Sequence, residues 1–165
     1  MRAIDSILAE LDQEAKITRR VLERIPEDKL SWKPHVKSFS LGQLGLHIAS
    51  LPGGLAAAIV NDSREVPNFA RPEPKSRREI LDTFSEGLES AKETLKKMDD
   101  AQLASTWSLT RNGKAVLSMP RIAFLRSILL NHSYHHRGQL SVYLRMLDVP
   151  LPSIYGPSAD ENPFE

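Results

Sequence analysis

The sequence contains no cysteine. That absence excludes disulfides, thiolate-held zinc, iron–sulfur clusters and a catalytic thiol belonging to the chain itself, so any metal must rest on His, Asp or Glu. Long apolar runs are missing as well. No stretch approaches the roughly 18 uninterrupted apolar residues of a membrane span, and the opening MRAIDSILAELDQEAK interrupts its apolar positions with charges, unlike a signal peptide. A cytoplasmic protein with no membrane partner is expected. Charge of one sign is equally scarce, with 22 Lys and Arg against 21 Asp and Glu and no dense run of either. The electrostatic footprint of a nucleic-acid binder is therefore lacking.

What is present is an ordinary globular composition, 41% hydrophobic and 26% charged over 165 residues, enough for one domain spanning residues 1–165 around a single core. Apolar positions recur at steps of three and four in four segments, the period of a helix with one buried face. The first carries Ile4, Leu8, Leu11, Ala15, Thr18, Leu22 and Ile25 and stops at Pro26, which cannot continue a helix. The second opens on an S-x-x-Q capping box, Ser40 and Gln43, and continues through Leu44, Ile48, Leu51 and Leu55. Pro52 followed by Gly53 and Gly54 predicts a kink in it, and the helix is expected to reach about Asn61. Residues 63–75, with three prolines, read as a surface linker.

The third segment starts at a second capping box, Ser76 and Glu79, and carries Leu81, Phe84, Leu88, Ala91, Leu95 and Met98. Asn112-Gly113 then lies between short runs holding Trp107, Leu109, Val116 and Leu117, the signal of a type I′ hairpin. The fourth segment places Ile122, Leu125, Leu129, His132, His136, Leu140, Tyr143 and Leu147 on one face from Pro120 to about Asp148. The proline-rich tail 149–165 is expected to lie extended on the rest. Four amphipathic helices must bury their stripes against one another, so the fold expected is an all-α four-helix bundle with a small β-hairpin before the last helix.

Three of the five histidines fall within His132-Ser-Tyr-His-His-Arg137. His132 and His136, four residues apart, stack one turn above the other and can address a common point. Burial of two neutral imidazoles leaves polar nitrogens that need partners, and either a metal ion or backbone carbonyls and water could supply them. His47 lies beside the Leu44, Ile48, Leu51 stripe and is the candidate third ligand; the alternative is a boundary residue resting against Gly42 or Gly45. His135, about 100° around the helix from His136, and His35, in a loop after Pro34, are expected to stay outside the site. Ser133 stands where an H-E-x-x-H protease needs its glutamate, and the fourth helix has no acid between Pro120 and Leu147, against a di-iron site. An all-imidazole set suits zinc, nickel, copper or ferrous iron.

Trp32-Lys33-Pro34, the run Phe39-Ser40-Leu41-Gly42-Gln43-Leu44-Gly45-Leu46-His47, the run from His132 to Leu140, and Pro150 to Pro157 with its Ile-Tyr-Gly-Pro ending together resemble the DinB-like (DinB/YfiT) family over nearly the whole chain. The resemblance implies a four-helix bundle in which the matching histidines, His47, His132 and His136, hold one divalent metal, often nickel or zinc, commonly in a homodimer. It further implies a metal-dependent thiol S-transferase using a low-molecular-weight thiol as cosubstrate, or a metal-dependent hydrolase, acting on a small molecule. A non-catalytic, metal-stabilised stress-response bundle is the remaining reading. A fourth protein ligand would favour it, and an open site would favour an enzyme.

Overall fold

The computed structural model describes residues 2–164. Helix α1, Ala3–Leu22, is followed by a 3₁₀ turn at Glu27–Lys29, helix α2 at Leu41–Ala58, strand β1 at Ser63–Glu65 and helix α3 at Arg77–Lys96. A short helix α4, Asp100–Ala104, leads into β2 at Thr106–Arg111 and β3 at Lys114–Pro120. The last helical run is composite: α5, Arg121–Phe124, a π-helical turn over Leu125–Leu130, and α6, Asn131–Met146. The molecule is mostly helical with a small mixed sheet, so the expectation of a bundle of four helices with a hairpin needs amending at both ends of the chain's middle third. Among the described residues no helix is long and apolar enough to cross a membrane.

Local chemistry sets the helix boundaries. Ser40 and Gln43 form the reciprocal capping box expected of them, with Gln43 N donating to Ser40 Oγ and Ser40 N to Gln43 Oε1, both at 3.0 Å. Ser76 accepts from Glu79 N at 3.1 Å, but Glu79 takes the amide of Lys75 instead of closing the second box. Helix α2 runs unbroken through Pro52 and ends at Ala58, short of Asn61. Gly53, just after that proline, allows close packing, since a Cβ there would lie only 2.9 Å from the Cα of Gly87 in α3. The orphan carbonyls at the end of α2 are met by side chains from the sheet and from α5. Trp107 Nε1 donates to Ala58 O at 2.9 Å, and the buried guanidinium of Arg121 donates to Ile59 O at 2.8 Å and Asn61 O at 3.0 Å.

Asn112 and Gly113 both have positive φ, 52° and 73°, as a type I′ turn requires, and Thr106 to Arg111 pair antiparallel with Lys114 to Pro120. The third strand was unexpected. Ser63–Glu65, inside the segment read as a linker, pairs parallel with Ser108–Thr110 and completes the order β1-β2-β3. Its three residues are all exposed and show no alternation, so nothing in their hydropathy marks a strand. Glu65 holds it there by accepting from Thr110 Oγ1 at 2.7 Å and from the Asn112 amide at the turn.

The apolar interior forms two clusters. One joins the start of α1 to α3, Trp107 and Phe124; the other joins Leu22, Ile25, Leu41, Leu44, Ile48, Ile80, Phe84, Leu140 and Leu144 beneath the histidines. The tail turns back onto this second cluster through Leu151 and Ile154 and is tied down by Arg20 to Glu161 and Arg145 to Asp160 ion pairs. Its last residue, Glu165, lies outside the described residues.

The π turn changes the phase of the last helical run. A π turn fits an extra residue into the helix, so the positions facing the core advance around it. Leu125 and Leu129 are buried as expected, but the buried line then passes through Leu130, Arg137, Leu140 and Leu144. His132 and His136 therefore leave the buried stripe assigned to them and stand half-buried on its flank. Arg137 takes the core position, 1% exposed.

Candidate metal centre

The helix α2 presents His47 toward α6, and α6 presents His132 and His136 one turn apart. His47 Nε2 lies 3.5 Å from His132 Nε2, which lies 2.6 Å from His136 Nε2. One ring nitrogen from each of the three falls within 4.8 Å of the other two. Two nitrogens on one tetrahedral ion, each about 2.0–2.1 Å from it, stand about 3.3 Å apart, so the observed spacings bracket what a shared ion needs. The His47 ring meets Phe39, His132 and His136, while the space where a Gly45 Cβ would point is filled by Ile25 and Ile80 and that beside Gly42 by Pro74.

Two of the imidazoles are oriented by a neighbour outside the cluster. His136 Nδ1 lies 2.7 Å from Gln139 Oε1. The amide oxygen can only accept, so Nδ1 carries the proton and Nε2 is left with its lone pair. The His47 ring stacks on Phe39, with centroids 5.5 Å apart and planes 17° from parallel, and meets the His136 ring edge-on at 4.5 Å. His35 is exposed in its loop. His135 is exposed too, with its ring against His136 and outside the converging set.

Partial burial pushes all three imidazoles below the usual histidine range. For His47 the like charge of His132 and then of Arg71 adds to it, and for His132 that of His135. His136 is brought down to about 4, chiefly by burial and against the Gln139 hydrogen bond, with the other imidazoles adding to the depression. The cluster is thus neutral at pH 7. Three neutral nitrogens facing one another repel unless a proton or a cation lies between them, and a borderline divalent cation fits this donor set.

The centre opens onto a cleft of about 610 Å³, lined by Phe39, Leu46, Ser50 and by Phe69 to Pro72 of the segment between β1 and α3. No other group of three His, Asp or Glu side chains comes together in this way among the described residues, and no acid lines the cleft. Glu73, the acid next along that segment, accepts from Ser40 Oγ at 2.7 Å instead. There is accordingly no fourth protein ligand and no carboxylate placed as a general base among the described residues.

The DinB family model matches residues 1–163. The chain belongs to the DinB family. Among curated proteins it is similar to the uncharacterized protein YrdA of Bacillus subtilis (strain 168), 25% identical over 161 residues that cover 97% of this chain and 92% of that one. Among solved structures it is similar to a DinB-like protein from Bacillus cereus ATCC 10987, with a TM-score of 0.73, 22% identity, and coverage of 92% of this chain and 97% of the other. A DinB-like protein of Bacillus subtilis, YjoA, matches with a TM-score of 0.69 and 21% identity over 90% of this chain and 97% of its own. At such identities the structural likeness speaks for the fold. Membership of the family and the three-histidine cluster are compatible with metal binding.

Gln139, Phe39 and Arg71 were not singled out by sequence reasoning. Gln139 had a usable signal, one helical turn after His136 on the same side. Arg71 had none, since it sits in a segment without periodicity and reaches the cleft only through the fold.

Proposed function

We propose that this chain binds one divalent metal, nickel or zinc, through His47, His132 and His136, and that it is a metal-dependent enzyme of the thiol S-transferase class. The observation that carries the reading is that the three-histidine cluster has no fourth protein ligand among the described residues and opens onto a cleft large enough for a small molecule. A divalent ion held there would lower the pKa of a bound thiol and supply a nucleophile at neutral pH.

The chain's own residues prepare that chemistry. Partial burial keeps the imidazoles neutral and their lone pairs available. Gln139 holds His136 in the tautomer that presents Nε2. Phe39 backs His47 and shields one side from water. The cleft, free of acids among the described residues, favours a nucleophile needing no protein base, which ranks transfer from an external thiol above hydrolysis. The protein acts as a single domain of four principal helices in the cytoplasm and as a homodimer, readings that rest on the family likeness and on the sequence.

Elemental analysis of the purified protein and its variants tests the site. His132→Ala and His136→Ala are expected to lose most of the bound metal, His47→Gln to bind it more weakly with its helical circular dichroism intact, and His35→Ala to be unchanged. Full occupancy in His132→Ala, or unaltered affinity in His47→Gln, refutes the three-histidine assignment. A screen of thiols against electrophiles with the metal-loaded protein then tests the reaction class. Light scattering giving the mass of one chain across micromolar concentrations would reject the dimer.

A further inference from the structure

Among the described residues Arg71 is the one Arg, Lys, Asp or Glu lining the cleft. Its backbone is fixed, because Gln43, the residue that closes the α2 cap, donates its Nε2–H to Arg71 O at 2.8 Å. Its guanidinium lies over the Phe39 ring, 4.3 Å from the centroid, and Phe39 is in turn stacked on His47. Cation, ring and histidine thus lie in consecutive contact along the cleft. Among the described residues no carboxylate lies within 4 Å of that guanidinium and no side-chain hydrogen bond engages it. Its fork of donors stays available, while the aromatic face below restricts where it can point. The charge is also felt at the floor, where it adds to the depression of the His47 pKa. Around the cation the walls are apolar: Phe39, Leu46, Phe69 and Pro72.

We propose that the cleft selects a small amphipathic carboxylate, its anionic group held by Arg71 at the mouth and its apolar body lying along Phe39 and Leu46 toward the histidines. This rests on the reading of the cleft as the reactive site and names the class of molecule it takes. One cation matches one negative charge, so a carboxylate fits better than a doubly charged phosphate ester. The apolar walls reject a fully polar solute, because they would desolvate its groups without offering partners.

The test uses two probes with the same body, 3-phenylpropanoate and 3-phenylpropan-1-ol, titrated by NMR into zinc-treated wild type, Arg71→Met and Arg71→Lys, with zinc content measured on the same samples. The acid is expected to bind wild type about fivefold more tightly than the alcohol, the range of a partly exposed ion pair. That preference should vanish in Arg71→Met, persist in part in Arg71→Lys, and shrink as salt is added, while alcohol binding and zinc content stay level. Equal binding of acid and alcohol by wild type, or a preference for the acid that survives in Arg71→Met, overturns the proposal, the second result placing the carboxylate elsewhere. If zinc fails to load but the Arg71-dependent preference remains, the metal reading falls and the ligand class stands.

Discussion

Replacing Arg137 with Met should destabilise the protein severely although Met fills much of the same space. The guanidinium is 1% exposed and donates to Glu14 Oε2 at 2.7 Å, to Thr18 Oγ1 at 3.2 Å and to the Tyr155 hydroxyl, which itself donates to Glu14 Oε2 at 2.8 Å. It also lies 5.3 Å and 5.0 Å from the ring centroids of Tyr134 and Tyr155. Removing it strands a carboxylate that is itself only 8% exposed. Breaking a buried pair from one side costs about 3–5 kcal/mol, mostly as the uncompensated charge. For a chain of this length each kcal/mol moves Tm by about 2–4 °C, so calorimetry should show a fall of about 6–20 °C. The double variant Glu14→Gln, Arg137→Met removes the stranded charge and should recover at least half of that loss. A shift under about 2 °C for Arg137→Met, or a double variant no better than the single, would refute the view that this pair is a closed electrostatic unit.

Gln139→Leu keeps the shape of the side chain but removes the acceptor that fixes the His136 tautomer, so metal affinity should fall about 10–100-fold with the fold intact; titration with a chromogenic competitor measures it. A pH effect follows from Glu10, whose carboxyl is held below its ordinary 4.5 first by the Arg126 hydrogen bond and also by the Tyr134 hydroxyl, against the opposing effect of burial. Because the folded pKa is the lower one, the unfolded chain binds the proton more readily. The stabilisation is therefore complete above the ordinary value and is lost as pH falls through the folded one. The pair is partly exposed, so the contribution is less than about 1 kcal/mol. Denaturant midpoints for wild type and Glu10→Gln should differ at pH 7 and converge in acid, and a difference that grows in acid would contradict the assignment.

Much of this was legible in the sequence because burial and periodicity agree in α1, α2 and α3. Ile4, Leu11, Ala15, Thr18 and Leu22 are buried where spacing puts them, and Asn112-Gly113 makes the turn its φ preferences demand. The three converging histidines were singled out because His132 and His136 were read onto an apolar stripe and His47 beside one, although the π turn leaves the first two on the flank of that stripe. What stayed hidden has a physical cause in each case. Strand β1 is held by Glu65 contacts to a distant turn and buries nothing, so no local pattern encodes it. Glu14 and Arg137 sit at positions a helical wheel gives to apolar side chains, and their charges cancel only across 123 residues of sequence. The π turn has no composition signal in LRSILL, and it undid the assumption that one stripe runs straight from Ile122 to Leu147.

That turn separates two demands that a regular helix would have to meet with a single rotation. Ahead of it, α5 is oriented by Phe124 and Arg121 against the sheet and the end of α2; beyond it, α6 is oriented by Arg137 and Leu140. The extra residue acts as a gear between them, so the histidine half can be aimed without disturbing the anchoring half. Were this turn to close with regular α-helical hydrogen bonds and all its residues kept, everything after it would turn by about 100° relative to what precedes it. Arg137 would then swing out of its pocket and the histidines would turn away from His47. A change in the hydrogen bonding of this one turn, with every histidine kept, would thus dismantle the centre more thoroughly than a substitution within it.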